Sequence, residues 1–171
     1  MTTAKTQIIK AFENIIKGTE YVLQAVPADR LDFKIEENST TLESICFHIS
    51  TLPLGATLFA QQVYTEFPPV DVLIEKMKEY LGDSIEQKDY STMFTKSCEV
   101  FLKHYNSFSD RDFVQETYST FLTRGPVTHM EGFLSTQNHL IQHRGTLVAM
   151  LRSMGIPVGL SQYWGMKPLS S

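Results

Sequence analysis

The sequence is poor in cysteine and has no excess of basic residues. Its two cysteines, Cys46 and Cys98, form no CxxC pair and are too few for a disulfide scaffold, so we expect free thiols in a reducing compartment. The net charge is −4, and the lysines and arginines form no cluster. The composition therefore excludes a disulfide-rich secreted domain and predicts no nucleic-acid partner.

Long uninterrupted apolar runs are also missing. Lys10 and Glu13 interrupt the first segment where a signal peptide needs its apolar region, and no apolar run approaches the length that crosses a membrane. We therefore expect a soluble, cytoplasmic protein with no membrane partner. The 171 residues fit one domain, 1–171, that can bury a core without disulfides or a structural metal. Any bound metal is then expected to serve function.

Helical periodicity dominates the rest of the chain. The apolar spacing predicts four main helices at about 8–26, 42–63, 90–105 and 127–154, and a shorter one over 70–81. Thr40-Thr41-Leu42-Glu43 matches a capping box with Thr40 as the N-cap, and Pro53 is expected to bend the helix that follows. These features predict an all-α four-helix bundle with long connections.

Two segments lack a helical pattern. Residues 109–126, SDRDFVQETYSTFLTRGP, alternate polar and apolar side chains but have no evident partner strand, so we expect an irregular link. The C-terminal tail carries Tyr163 and Trp164 and is too apolar to extend into solvent. We expect this tail to fold back on the bundle.

Three histidines form the main candidate site. His139 and His143 lie four residues apart in NHLIQHRGTLVAML, residues 138–151, so they project from one face of the last helix, where we expect them to be buried. His48 lies on the apolar face of the second helix. Three imidazoles from two facing helices can bind a metal ion and leave a coordination position open, as in catalytic zinc sites. They can equally be core histidines with ordinary hydrogen bonds, and the residues alone leave both interpretations open.

The residues after His143 are further candidates. Arg144 can pair with a carboxylate beside the site or hold an anionic substrate, and a surface salt bridge is an equal alternative. Gly145 is expected to allow another helix, the tail or a ligand to approach closely, since glycine costs stability inside a helix. Thr146 shares the histidine face and can contact a ligand or bound water, or satisfy a local carbonyl.

The remaining candidates are given structural roles. Cys46 faces away from His48 and is expected to be a small core residue. Glu43 is assigned to the helix cap. His104 and His129 are expected to be surface or capping residues, because His129 points about 80° away from His139 around the helix.

Three segments of the chain resemble the DinB-like (DinB/YfiT) family. They are NHLIQHRGTLVAMLRSMGIPV at 138–158, STTLESICFHISTLP at 39–53 and LDFKIEENS at 31–39. The resemblance implies an up-down-down-up four-helix bundle, often a homodimer, with a divalent metal bound by His48, His139 and His143. Zinc and nickel are among the metals it implies, and three imidazoles suit copper and iron as well.

Two positions depart from the family pattern. Gln142-His143 stands where the family usually has two histidines, which removes a rival ligand. Thr146 replaces a common glutamine, so a substrate contact made by that glutamine does not carry over. Metal binding is compatible with both changes.

The family includes transferases and isomerases that depend on small thiols such as bacillithiol or mycothiol. The resemblance therefore implies a metal-dependent thiol S-transferase acting on small electrophiles. One alternative is a metal-dependent hydrolase, although no Asp or Glu shares the turn of His139 and His143 to act as a general base. Another is a non-catalytic, metal-stabilised dimeric bundle.

Overall fold

The computed structural model describes residues 3–61, 64–159 and 164–165. The regular secondary structure of these residues is helical apart from one short antiparallel ladder, which confirms the predicted all-α bundle. The elements in chain order are α1 (Ala4–Leu23), α2 (Leu42–Ala60), α3 (Val70–Leu81), a 3₁₀ turn (Gly82–Ser84), α4 (Tyr90–Asn106), α5 (Asp110–Gln115), β1 (Thr117–Tyr118), β2 (Val127–Thr128) and α6 (His129–Ser153).

The four long helices α1, α2, α4 and α6 form the bundle. Both α1 and α2 pack against α4 and α6, so each long helix has two long neighbours. By length and composition α2 could span a membrane, but 67% of its apolar window is buried inside the bundle. This burial is typical of the core helix of a soluble protein, and it explains why α2 is apolar around most of its circumference.

Pro53 lies inside α2 without ending it. The Leu54 N–H donates to the Ser97 hydroxyl of α4 at 2.7 Å, and the Ser50 hydroxyl donates to the Tyr90 carbonyl at 2.8 Å. A proline disturbs the hydrogen bonds of its own helix, and α4 supplies polar partners at that point. The contact fixes α2 against α4 one turn after His48.

The predicted cap of α2 is wrong by one residue, because the N-cap is Thr41 and not Thr40. The preceding connection explains the shift: its carbonyls accept from the N–H groups of Leu42 at 2.9 Å and Glu43 at 2.8 Å. The Glu43 carboxylate is not used in a capping box, and it forms an ion pair with Lys88 at 2.6 Å.

The expectation of an irregular link over 109–126 holds for residues 119–126 and is wrong for the residues before them. The segment begins with α5, and β1 then pairs with β2, the two residues that precede α6. A ladder of two residues is too short to show a strand period in the sequence. The capping box that starts α6 is formed by Thr128 and Glu131.

The tail folds back at Trp164–Gly165, as predicted, and Tyr163 lies outside the described residues. Gly165 has φ +69° and lies against α1, where a Cβ atom would come within 2.8 Å of the Gly18 nitrogen and 3.0 Å of the Asn14 carbonyl oxygen. Both the positive φ and the close approach favour glycine.

Candidate metal centre

The structure brings together the three histidines that the sequence singled out. His48 projects from α2, and His139 and His143 project from successive turns of α6. One ring nitrogen of each lies within 4.8 Å of the others, and the ring centroids are 4.5 to 5.2 Å apart. The group forms where α2 packs against α6.

The spacing of the nitrogens fits a shared metal ion. The Nε2 atoms of His48 and His139 are 3.4 Å apart. Two nitrogens bound to one tetrahedral ion at about 2.0–2.1 Å are themselves about 3.4 Å apart, whereas a hydrogen bond between protein groups is usually about 2.9–3.0 Å long. No acidic or cysteine side chain of the described residues joins the group, so three protein ligands would leave a coordination position open.

The three imidazoles are neutral near pH 7. Burial, together with smaller contributions from the neighbouring His143 and His139, lowers the pKa of His48 to about 4. Burial also lowers the pKa values of His139 and His143. Neutral rings have free lone pairs, which divalent metal ions require.

The group is more accessible than the sequence suggested. His139 is exposed, and His48 and His143 are half-buried, so the expectation that the pair on α6 is buried is wrong for His139. The pair lies at the rim of the helix interface, and the apolar neighbours on α6, such as Leu140 and Leu147, fill the core behind it. A small molecule could therefore reach the group from solvent.

A cleft of about 380 Å³ begins at His48 and His139 and lies between α2, α3 and α6. The apolar residues along its length are Leu52, Gly55, Ala56, Phe59, Leu73 and Met77. Sequence reasoning assigned this stripe to the core. Positions 52, 55 and 59 follow His48 at helical spacing, so the sequence does place them on the same face of α2. This spacing alone cannot distinguish an apolar stripe that is buried in the core from one that lines a cleft.

Aromatic residues border the mouth of the cleft. The Phe59 ring is 6.0 Å from Phe67 and 5.1 Å from Phe121, centroid to centroid. Phe67 and Leu122 line the cleft and remain 58% and 59% exposed. The loop between β1 and β2 therefore forms one wall, a role that the sequence did not predict.

No family model and no curated protein matches the sequence. A DinB-like protein, YjoA, from Bacillus subtilis matches with TM-score 0.60 and 19% identity, over 89% of this chain and 96% of its own. A DinB-like protein from Bacillus cereus matches with TM-score 0.68 and 17% identity, over 92% and 98%.

The chain has the fold of the DinB-like proteins. This likeness supports the resemblance that the sequence motifs carry, and it covers nearly the whole chain. At these identities the likeness concerns the fold, and the chemistry of the site depends on the three histidines and their surroundings.

Arg144 and Thr146 both donate to backbone carbonyls. Arg144 is 2% exposed and donates from Nη1 to the Ile15 carbonyl of α1 at 3.1 Å, so its guanidinium lies in the bundle interior and not at the surface, and its role beside the site stays a prediction. Thr146 is exposed and donates to the Gln142 carbonyl at 3.4 Å, the local alternative. Outside its own helix backbone, no described atom lies within 4 Å of a Cβ at Gly145, so no other described helix makes the close approach expected there.

His129 is not a surface residue, contrary to expectation. It is 5% exposed and lies between the rings of Phe108 and Tyr118, at centroid distances of 3.7 and 5.0 Å. The β1–β2 ladder places Tyr118 over the start of α6, which sequence reasoning missed with the ladder itself. His104 is half-buried, and its ring centroid is 6.3 Å from that of His129. Cys46 is a buried core residue, as predicted.

Proposed function

We propose that this chain is a divalent-metal-dependent enzyme that uses a low-molecular-weight thiol, of the bacillithiol type, to attack small electrophiles in the cytoplasm. Zinc and nickel are the metals we propose. One observation carries the proposal: an accessible group of three neutral histidines lies at the end of an apolar cleft large enough for a small molecule. The DinB-like fold agrees with it.

His48, His139 and His143 would hold the ion. A bound divalent ion lowers the pKa of a coordinated thiol, so that a thiolate is available near neutral pH. The chain's own thiols are unsuited to this role. Both Cys46 and Cys98 are buried, and burial raises the pKa of Cys46 to about 12 and that of Cys98 well above its usual value.

The proposed reaction is a displacement at an electrophilic carbon. In the displacement, the thiol sulfur forms a bond to the carbon, the bond to the leaving group breaks, and the leaving group departs with the bonding electrons. The thiol proton passes to solvent. The walls of the cleft would orient the electrophile and exclude water from the reacting carbon.

Hydrolysis is the weaker alternative. It requires a general base close to the attacking water, and no acidic residue among the described ones lines the cleft. Glu43 is paired with Lys88, and the Glu131 carboxylate accepts from the Thr128 N–H in the cap of α6. A purely structural role for the metal predicts a site without catalytic activity.

The homodimer implied by the resemblance stays a prediction. We propose that the chain also binds a small-molecule substrate.

The test is a conjugation assay with tag-free, metal-loaded protein. Bacillithiol and 1-chloro-2,4-dinitrobenzene give a thioether and chloride, and the product is followed by its absorbance. We expect a metal-dependent rate above the buffer rate, abolished in His139→Ala and retained in His104→Gln. A rate that equals the buffer rate in fully metal-loaded protein would contradict the proposal.

A further inference from the structure

The cleft that begins at the histidines carries no charge along its length. Besides His48 and His139, none of the described residues that line it is acidic or basic. Moving an ionised group out of water without a partner is unfavourable by far more than binding a small ligand gains. A ligand that fills this cleft therefore has to be uncharged at the end away from the metal.

The polar groups of the cleft are three hydroxyls, and two of them already have acceptors. The Thr51 hydroxyl donates to the Phe47 carbonyl at 2.9 Å, and the Thr136 hydroxyl donates to the Gly132 carbonyl at 3.0 Å. Ser135 lines the cleft one turn before His139 and has no hydrogen-bond partner among the described residues. The cleft thus offers one free hydroxyl donor beside the histidines.

Gly55 keeps the cleft open at its midpoint. It lies seven residues after His48 on the same face of α2, and a Cβ there would stand 3.4 Å from the Met77 methyl carbon, an ordinary contact. The Cβ itself is therefore tolerated, and a longer side chain would extend from α2 towards Met77 of α3 and occupy part of the cleft.

We infer that the acceptor substrate is an uncharged, largely apolar molecule with one hydrogen-bond acceptor next to its electrophilic carbon. The apolar part lies along Gly55 and Phe59, the acceptor atom takes the hydrogen bond of Ser135, and the electrophilic carbon faces the histidines. This inference deepens the proposed function and rests on it. Gly55 and Ser135 are then the residues that determine specificity.

The test uses two matched probes, methyl 2-naphthoate and 2-naphthoate, which differ by an ester in place of a carboxylate. Binding is followed by naphthyl fluorescence with metal-loaded and with chelator-treated protein. We expect the ester to bind at least about tenfold more tightly than the carboxylate to chelator-treated protein, where no cation can attract the anion. Equal affinities there would overturn the inference.

Two variants locate the probe. Gly55→Leu is expected to weaken ester binding by about tenfold or more, and Ser135→Ala by about two- to tenfold through loss of one hydrogen bond. Gly145→Leu, the same change at a helical glycine outside the cleft, is the control and keeps full affinity. Unchanged binding in Gly55→Leu that is folded by circular dichroism would place the ligand elsewhere and overturn the inference.

Metal content, measured on the same samples, separates the two proposals. Ester binding by protein that takes up no metal would support ligand binding in the apolar cleft and contradict the metal-dependent function. One metal per chain without any preference for the ester would support the metal site and contradict the inference about the substrate.

Discussion

The Nε2 atoms of His48 and His139 lie 3.4 Å apart, although 91 residues separate the two histidines along the chain. One ligand comes from α2 and two come from α6, so an ion bound by all three would link these helices. Metal affinity and the stability of the bundle are therefore coupled, because the complete ligand set exists only in the folded chain.

This coupling predicts that metal stabilises the protein. Adding Zn²⁺ or Ni²⁺ at one hundred times its dissociation constant should raise the free energy of unfolding by about 2.7 kcal/mol. Thermal unfolding with and without the ion measures the effect. His48→Ala should lose it, while His104→Gln should keep it; an equal shift in both variants would place the ion outside the three-histidine group.

The two glycines of α6 should respond in opposite ways to alanine. A Cβ at Gly132 would come within 1.9 Å of the Tyr118 hydroxyl oxygen and 3.2 Å of the Tyr105 hydroxyl oxygen. Gly132→Ala should therefore displace Tyr118 and destabilise the fold by about 1–3 kcal/mol. Urea unfolding followed by circular dichroism gives the difference.

Gly145→Ala is the matched change at an open position. No described atom lies within 4 Å of its Cβ position, so the variant should be more stable than the wild type by about 0.5–1 kcal/mol through helix propensity. A destabilised Gly145→Ala, or a neutral Gly132→Ala, would show that the packing around α6 differs from the one described.

Ser97 should be important for stability because it partners the backbone beside Pro53. It is fully buried, and its hydroxyl accepts from the Leu54 N–H at 2.7 Å. Ser97→Ala leaves this buried N–H without that acceptor and should cost about 1–3 kcal/mol. Ser153→Ala removes an exposed hydroxyl that donates to the Ala149 carbonyl, and it should change the unfolding free energy far less.

The stability of the metal-free protein should fall in mild acid. Burial lowers the pKa of all five histidines below the ordinary value of 6.5, and for His129 it outweighs the opposing effect of Glu116 and Asp112. A group with a lowered pKa binds fewer protons in the folded state, so stability is lost as the pH falls below about 6.5.

His129→Phe tests this origin, because phenylalanine can keep the stack with Phe108 and Tyr118 and does not titrate. Urea unfolding at pH 7.5 and pH 5.5 should show a smaller loss in this variant than in the wild type. The difference for one group is at most about 1.4 kcal/mol per pH unit. Identical losses would assign the acid sensitivity to other groups.

The bundle and the three histidines were predictable from the sequence because both depend on helical spacing. Four periodic segments predict four helices, and a spacing of four residues places His139 and His143 on one face. The position of His48 opposite them followed from its place on an apolar stripe. Periodicity placed these residues on facing helices, but it left open whether they share one site, which only the resemblance to the DinB-like family implied.

The surroundings of the site could not be predicted, because they depend on contacts between segments that the spacing of residues along the sequence does not encode. Arg144 was assigned to the site or to the surface, whereas its guanidinium reaches α1 through the bundle interior. His129 became buried because the short ladder carries Tyr118 over it. The sequence could not distinguish the cleft from the core, because residues such as Gly55 and Phe59 are compatible with both a cleft wall and a buried helix face.

Binding of one metal ion by His48, His139 and His143 underlies the proposed function. Elemental analysis of tag-free protein, incubated with zinc or nickel and desalted, measures this binding. We predict about one ion per chain in the wild type and in His104→Gln, and a loss in His48→Ala, His139→Ala and His143→Ala. No retained metal in the wild type, or full retention in the three alanine variants, would contradict the claim.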